Sequence, residues 1–227
     1  MPGSSRPRPT APSPAEPGAG LSPAFRALLD AEPLADRVVL DVGTGGGRLA
    51  LYLAPRCRRV VGIDVDAGAL AEARRRAAAA GLANVEFVQA DADAEEYGAF
   101  APDAVVAHLC FSDAIAERAG RALQPGQPLV FVAFHADQWR ETGRRSRFAY
   151  DEAQLARVLA AAGFRVEHLQ VEREVQRFGS LEEALAAAVG LQEKWKADGR
   201  WFRYIQFLEE GGRTLTRSHL VVKARRA

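Results

Sequence analysis

Three short segments combine residue types that can hold and orient a ligand. The first, Val38-Val39-Leu40-Asp41-Val42-Gly43-Thr44-Gly45-Gly46-Gly47-Arg48-Leu49, is an apolar run that opens into glycines at 43, 45 and 47. Glycines at alternate positions let the backbone turn tightly and come close to a ligand, because no side chain stands between them. In the second, Val61-Gly62-Ile63-Asp64-Val65, the Asp64 carboxylate closes an apolar run and can accept from both hydroxyls of a ribose. In the third, Phe87-Val88-Gln89-Ala90-Asp91-Ala92, Asp91 can accept from an adenine amino group. Gly45-Gly46-Gly47-Arg48-Leu49-Ala50 also satisfies the dinucleotide pattern G-x-G-x-x-A, so the loop alone does not choose the ligand. The acids weigh in: Asp41 would attract a cationic aminoacyl group and repel a pyrophosphate. Three carboxylates, with no Lys or Arg between Gly43 and Gly47, favour a cationic nucleoside over a dinucleotide.

These segments need a scaffold that gathers the ends of apolar runs at one crevice, and the chain supplies one. Apolar runs at 38–42, 60–63, 85–88, 104–107 and 129–134 read as buried parallel strands. Helical stretches at 46–54, 67–80 and 112–123 alternate with them, the last two closed by Gly81 and by Gln124-Pro125-Gly126. Strand and helix in alternation, with right-handed crossovers, give an α/β fold with an open, doubly wound sheet. A short helix precedes it, with Ser22 as N-cap and Pro23 at the first helical position. The C-terminal third changes character. A helix over 151–162 leads into an extended stretch at 164–175, and a last strand is expected over 214–223. Between them, residues 180–210 read as helix broken at Asp198-Gly199. The two late strands are expected to pair antiparallel at one sheet edge, with the helical segment inserted between them.

Composition narrows the class of protein. The 227 residues are 48% hydrophobic and carry 30 Lys+Arg against 29 Asp+Glu, a net charge of +1. A core can be buried, and no global basic excess argues for a nucleic-acid partner. No apolar run reaches the roughly 18 residues that a membrane span requires. Residues 1–20 carry six prolines and read as a disordered tail, which leaves 21–227 as one domain with 178–212 as its insert or lid. Two cysteines, Cys57 and Cys110, cannot build a disulfide framework or a four-ligand zinc site; both read as buried thiols, no metal is expected, and a cytoplasmic location follows.

From about Ala35 to Ala136 the sequence resembles the class I S-adenosylmethionine-dependent methyltransferases. Asp41-Val42-Gly43-Thr44-Gly45-Gly46-Gly47 matches that family's first motif, an acid followed by G-x-G-x-G. Asp64 matches the acid that closes its second strand, Asp91-Ala92 the pair that closes its third, and Arg121 to Val130 its helix, Pro-Gly turn and fifth strand. The resemblance implies a mostly parallel seven-stranded sheet with an antiparallel last strand, and S-adenosyl-L-methionine as cofactor. It also implies that Asp64, followed by Val65, holds the ribose, that Asp91 and the Ala92 backbone hold the adenine, and that Asp41, Gly43, Thr44, Gly45 and Gly47 hold the methionyl end. The fourth strand ends Ala107-His108-Leu109-Cys110-Phe111 and lacks the Asn/Asp-Pro-Pro-aromatic motif of enzymes that methylate adenine or glutamine amines. A small-molecule acceptor with an O, N or S nucleophile is therefore expected.

Methyl transfer from a sulfonium is an in-line displacement with a neutral leaving group, so alignment matters more than acid–base help. Two histidines at strand ends are candidate bases, His108 and His135; His108 could equally pack against the adenine, and His135 could equally be a satisfied polar residue. Arg144 and Arg147, in the loop after His135, suit an anionic acceptor, or belong to a solvated loop. Trp201 and Tyr204 in the insert would roof the pocket, or only pack the insert onto the sheet. The competing functions are an NAD-dependent oxidoreductase, disfavoured by the absence of a Tyr-x-x-x-Lys pair, and a non-catalytic cofactor-binding protein of the same fold.

Overall fold

The computed structural model describes residues 18–227. The tail expected over 1–20 lies outside the described residues as far as residue 17. Gly18 to Gly20 form a turn, closed by the Leu21 amide donating to the Gly18 carbonyl at 3.0 Å.

The sheet is built outward from β1 (Val38–Val42), whose five residues are all buried. β2 (Arg59–Asp64) and β4 (Ala104–His108) flank it in parallel, β3 (Val85–Gln89) extends one side and β5 (Pro128–His135) the other. β8 (Thr214–Arg226) then runs antiparallel to both β5 and the edge strand β7 (Phe164–Arg177), giving the order β3-β2-β1-β4-β5-β8-β7. The expected seven strands are present, and a two-residue β6 (Ala149–Tyr150) adds an eighth beside the end of β5. Strand order reverses between β1 and β4, so their connections leave to opposite sides and open a crevice at the carboxyl ends.

The helices close both faces. α1 (Pro23–Asp30), α2 (Arg48–Leu53) and α3 (Ala67–Ala79) bury Phe25, Leu49, Leu53 and Leu70 against one side of the sheet. α4 (Asp113–Ala122) and α5 (Glu152–Ala161) bury Ile115, Ala119, Leu155 and Leu159 against the other. Side-chain caps fix where they start: Ser22, Asp66, Ser112 and Asp151 each accept from a first-turn amide. α2 is shorter than its apolar pattern suggests, because Pro55 turns its end into a 3₁₀ turn at Ala54–Arg56.

The insert between β7 and β8 folds as α6 (Leu181–Ala188), α7 (Gln192–Ala197) and α8 (Arg200–Glu209). It has its own core, in which Trp195 meets Trp139 and Tyr204 edge to face, with ring centroids 5.3 and 5.4 Å apart. Trp139 belongs to the loop after β5, so the insert is docked on the segment that covers the carboxyl ends of the strands. Among the described residues no helix is long and apolar enough to cross a membrane.

Two tests follow. A Cβ on Gly120 of α4 would overlap the Ala162 carbonyl oxygen, whereas one on Gly98 meets nothing within 4 Å. Gly120→Ala is therefore expected to lose about 1–3 kcal/mol of unfolding free energy and Gly98→Ala to stay within about 1 kcal/mol of wild type, read by urea unfolding; equal effects would contradict this packing. Burial pushes the Asp41 carboxyl of β1 up to about 7, against the smaller opposing effect of a hydrogen bond from Thr44. The folded chain thus binds this proton more tightly than the unfolded chain, so the contribution of Asp41 to stability declines between about pH 4 and pH 7, where the unfolded chain has lost the proton and the folded chain still holds it. Asp41→Asn is expected to gain on wild type as pH rises through that window, by on the order of a few kcal/mol; a difference independent of pH would contradict it.

Candidate functional site

A cavity of about 300 Å³ opens at the carboxyl ends of the strands. Its floor is the turn after β1. Gly45 holds φ at +51°, its Cβ position is open, and its amide donates to Asp64 Oδ2 at 2.8 Å. At Gly43, with φ at +68°, a Cβ would overlap the Cys110 side chain, so only glycine lets the turn after β1 and the turn after β4 pack together. Thr44 faces inward rather than to the cavity. Its amide donates to the Ile63 carbonyl at 2.9 Å and its hydroxyl to Asp41 Oδ2 at 2.6 Å. Asp41 is 1% exposed and lies beneath the loop, outside the cavity lining, so its direct action is on the loop. Gly47, the third expected glycine, packs against Ala73 and Phe87 at the start of α2 rather than facing the cavity.

The acids on the wall are the expected ones. Asp64 and Val65 line it from the end of β2, and Asp91 and Ala92, with Asp93, from the end of β3. Asp64 accepts one backbone amide on each oxygen, from Gly45 and, at 2.9 Å, from Asp66. Each oxygen keeps a second lone pair for a ligand hydroxyl. The Asp91–Asp93 turn is held from behind: Tyr97 donates to the Ala92 carbonyl at 2.8 Å, Arg118 of α4 to the Asp93 carbonyl at 2.7 Å, and Ser112 to Asp93 Oδ1 at 2.5 Å.

The turn after β4 forms the facing wall. Leu109 adopts φ +59°, a strained geometry for a branched residue, and its amide donates to the Val132 carbonyl at 2.8 Å. The turn brings Cys110, Phe111 and Ser112 to the cavity. Cys110 is therefore a cavity residue and only half buried, which corrects its expected place in the core; Cys57 is buried. Burial, with Asp64 and Asp41 nearby, pushes the Cys110 thiol up to about 11, so it stays protonated at neutral pH.

The expected substrate residues are arranged differently. His108 points to the α1 side, 5.7 Å from the Phe25 ring, and does not line the cavity. Burial first, then Arg48 and His219, push its pKa down to about 4, so it is a neutral packed ring at pH 7. His135 is 5% exposed, with Nδ1 2.9 Å from Ser218 Oγ and Nε2 3.4 Å from Glu152. Side chains alternate along β5, so Phe134 takes the cavity position and His135 the opposite face. Arg144 donates to the Asp198 carbonyl and so ties the loop to the insert. Arg147 lies 4.5 Å above the Phe148 ring, and Phe148 lines the cavity. Tyr204 is wholly buried, with its hydroxyl 3.4 Å from the Thr214 carbonyl, and Trp201 packs on the same cluster, so neither roofs the cavity. The insert instead contributes Lys194. Phe134, Phe148 and Lys194 were not singled out in the sequence. Phe134 alone had a partial signal there, its place at a central strand's carboxyl end, which it shares with His135. Among the described residues no group of three metal-ligating side chains is present.

Known proteins are similar to this chain in sequence and in fold. A methyltransferase-domain family model matches residues 39–126, the span from β1 to the turn before β5. An uncharacterized methyltransferase of Mycobacterium bovis is 32% identical over 136 residues, covering 54% of this chain and 69% of that protein. A 23S rRNA (uracil(1939)-C(5))-methyltransferase of Stenotrophomonas maltophilia is 50% identical over 60 residues, but this chain spans only 14% of that relative's length. An S-adenosylmethionine-dependent methyltransferase structure from Mesorhizobium loti shares the fold, with a TM-score of 0.57 at 20% identity, over 90% of this chain and 96% of that one. With that family model matched, and with 69% of a 32%-identical methyltransferase covered, the chain belongs to the class I S-adenosylmethionine-dependent methyltransferase family.

Proposed function

We propose that the protein transfers a methyl group from S-adenosylmethionine to a small-molecule acceptor. The observation that carries this reading is a single cavity with chemically distinct ends. One end presents Gly43 of the turn after β1, Asp64 and the Asp91–Ala92 turn; the other presents Phe134, Phe148 and Lys194. The first end fits the cofactor: a close-approach turn without a Cβ, a carboxylate with free lone pairs for the ribose, and a second acid and backbone for the adenine. The match to the rRNA enzyme is confined to a stretch of 60 residues, so its acceptor is not carried over.

When bound, the cofactor supplies an electrophilic methyl on a sulfonium whose departing sulfide is neutral. The chain's task is then alignment. Asp64 and Asp91 fix the nucleoside, the loop after β1 lies close beneath it, and Leu109, Phe134 and Phe148 exclude water from the line of attack. Neither His108 nor His135 lines the cavity, so the reading assigns neither of them proton abstraction from the acceptor; His108 packs against Phe25 and His135 pairs with Ser218.

Calorimetry is expected to show binding of S-adenosylmethionine and S-adenosylhomocysteine with affinities on the order of micromolar. Asp64→Ala should weaken both by roughly 1.5–3 kcal/mol, the range for hydrogen bonds to a charged group. Gly45→Val should weaken them more, because a branched side chain strains a turn that is held at φ +51° and whose amide positions Asp64. Saturable binding of a nicotinamide dinucleotide with none of the sulfonium compound would contradict the reading.

A further inference from the structure

We infer that Lys194 is the charged end of the acceptor site, and that the acceptor is a flat, largely apolar molecule carrying an anionic group. The inference rests on the methyl-transfer reading of the cavity and names the substrate class it serves.

Charge is divided along the cavity. Asp64, Asp91 and Asp93 line the end built by β2 and β3, and Lys194 is the one basic residue lining it among the described residues. Its neighbours in the insert are already paired, Glu193 with Lys196 at 3.0 Å and Asp198 with Arg200 at 3.2 Å. No carboxylate among the described residues lies within salt-bridge distance of Lys194, so its charge is available to a ligand. Its placement is set by packing. The next residue, Trp195, is fully buried between Trp139 and Tyr204, and the Lys194 ammonium lies 6.0 Å from the Trp139 ring centroid. A helix anchored in this way carries its lysine to a defined point at the cavity mouth.

The walls beside Lys194 are aromatic. Phe134 lines the cavity from β5, and Phe148, 40% exposed, offers a ring that a ligand can cover. Arg147 stacks on Phe148 at 4.5 Å and adds a second positive charge against that wall. An anion is repelled by the three acids at the cofactor end and attracted at the Lys194 end, so the same charge division that selects it also orients it. A neutral acceptor gains neither effect, and a cationic one is repelled at the Lys194 end.

The test uses the protein saturated with S-adenosylhomocysteine and two probes, 2-naphthoate and 2-naphthamide, which share a ring system and differ in charge. Calorimetry at neutral pH is expected to show the carboxylate binding at least about ten-fold more tightly than the amide. Lys194→Met, at an exposed position, should bring the two within about two-fold while leaving the S-adenosylhomocysteine affinity unchanged. Equal affinity of the two probes, binding of neither, or discrimination that survives in the methionine variant would overturn the inference and leave the methyl-transfer reading standing. A fall in S-adenosylhomocysteine affinity in Lys194→Met would assign the lysine to the cofactor's own carboxylate, which also overturns the inference. Failure of the wild-type protein to bind S-adenosylhomocysteine would remove the reading beneath it.

Discussion

The hydrogen bond from the Gly45 amide to the Asp64 carboxylate joins the turn after β1 to the end of β2, and the geometry of the site depends on it. A glycine-rich turn of this kind has only one side chain of its own, that of Thr44, to stiffen it, since close approach to a ligand requires glycine. The rest of its rigidity has to come from the groups that the turn is bonded to. Asp64 holds the turn from one side, and Thr44 holds it from below through Asp41 and the Ile63 carbonyl. The same carboxylate that would receive the ribose therefore also shapes the floor beneath it, so loop position and ligand recognition are coupled through one residue.

The opposite wall meets the same demand with strain and tight contact. Leu109 occupies a left-handed conformation that most branched residues avoid, and the turn it makes sets Cys110 directly over Gly43. The site is thus two turns in contact, each occupying space that the other leaves free. Behind the third turn, Arg118 and Tyr97 supply the backbone contacts that keep Asp91 to Asp93 facing the cavity. These supports lie on α4 and in the segment after β3, away from the cavity, where ligand contact alone would give no reason for a particular residue.

Much of this was legible in the sequence, and the reason is periodicity. The five parallel strands are continuous apolar runs bounded by turn residues, so their ends, and the acids at those ends, follow from the pattern. Facing direction did not follow. At the end of β5, Phe134 and His135 are adjacent, and a strand ending gives no rule for which of the two turns to the crevice; pairing with Ser218 of β8 decides it. Tyr204 and Trp201 fit equally well as lid or as packing, because helical spacing marks an apolar face without saying what covers it. Trp139, far away in sequence, covers that face and closes the cluster. Lys194 was hidden for the converse reason: a lysine between Glu193 and Lys196 on a short helix reads as solvated surface until the fold sets that helix over the cavity.

The central claim, that the turn after β1 and the acids at the ends of β2 and β3 form one ligand-binding surface, is tested most directly by hydrogen exchange with and without S-adenosylhomocysteine. The account predicts slowed exchange on ligand addition in the segments around residues 43–49, 64–66, 90–93 and 109–112, with little change in the edge strand β7. Protection elsewhere, with those four segments unchanged at saturating ligand, would contradict it.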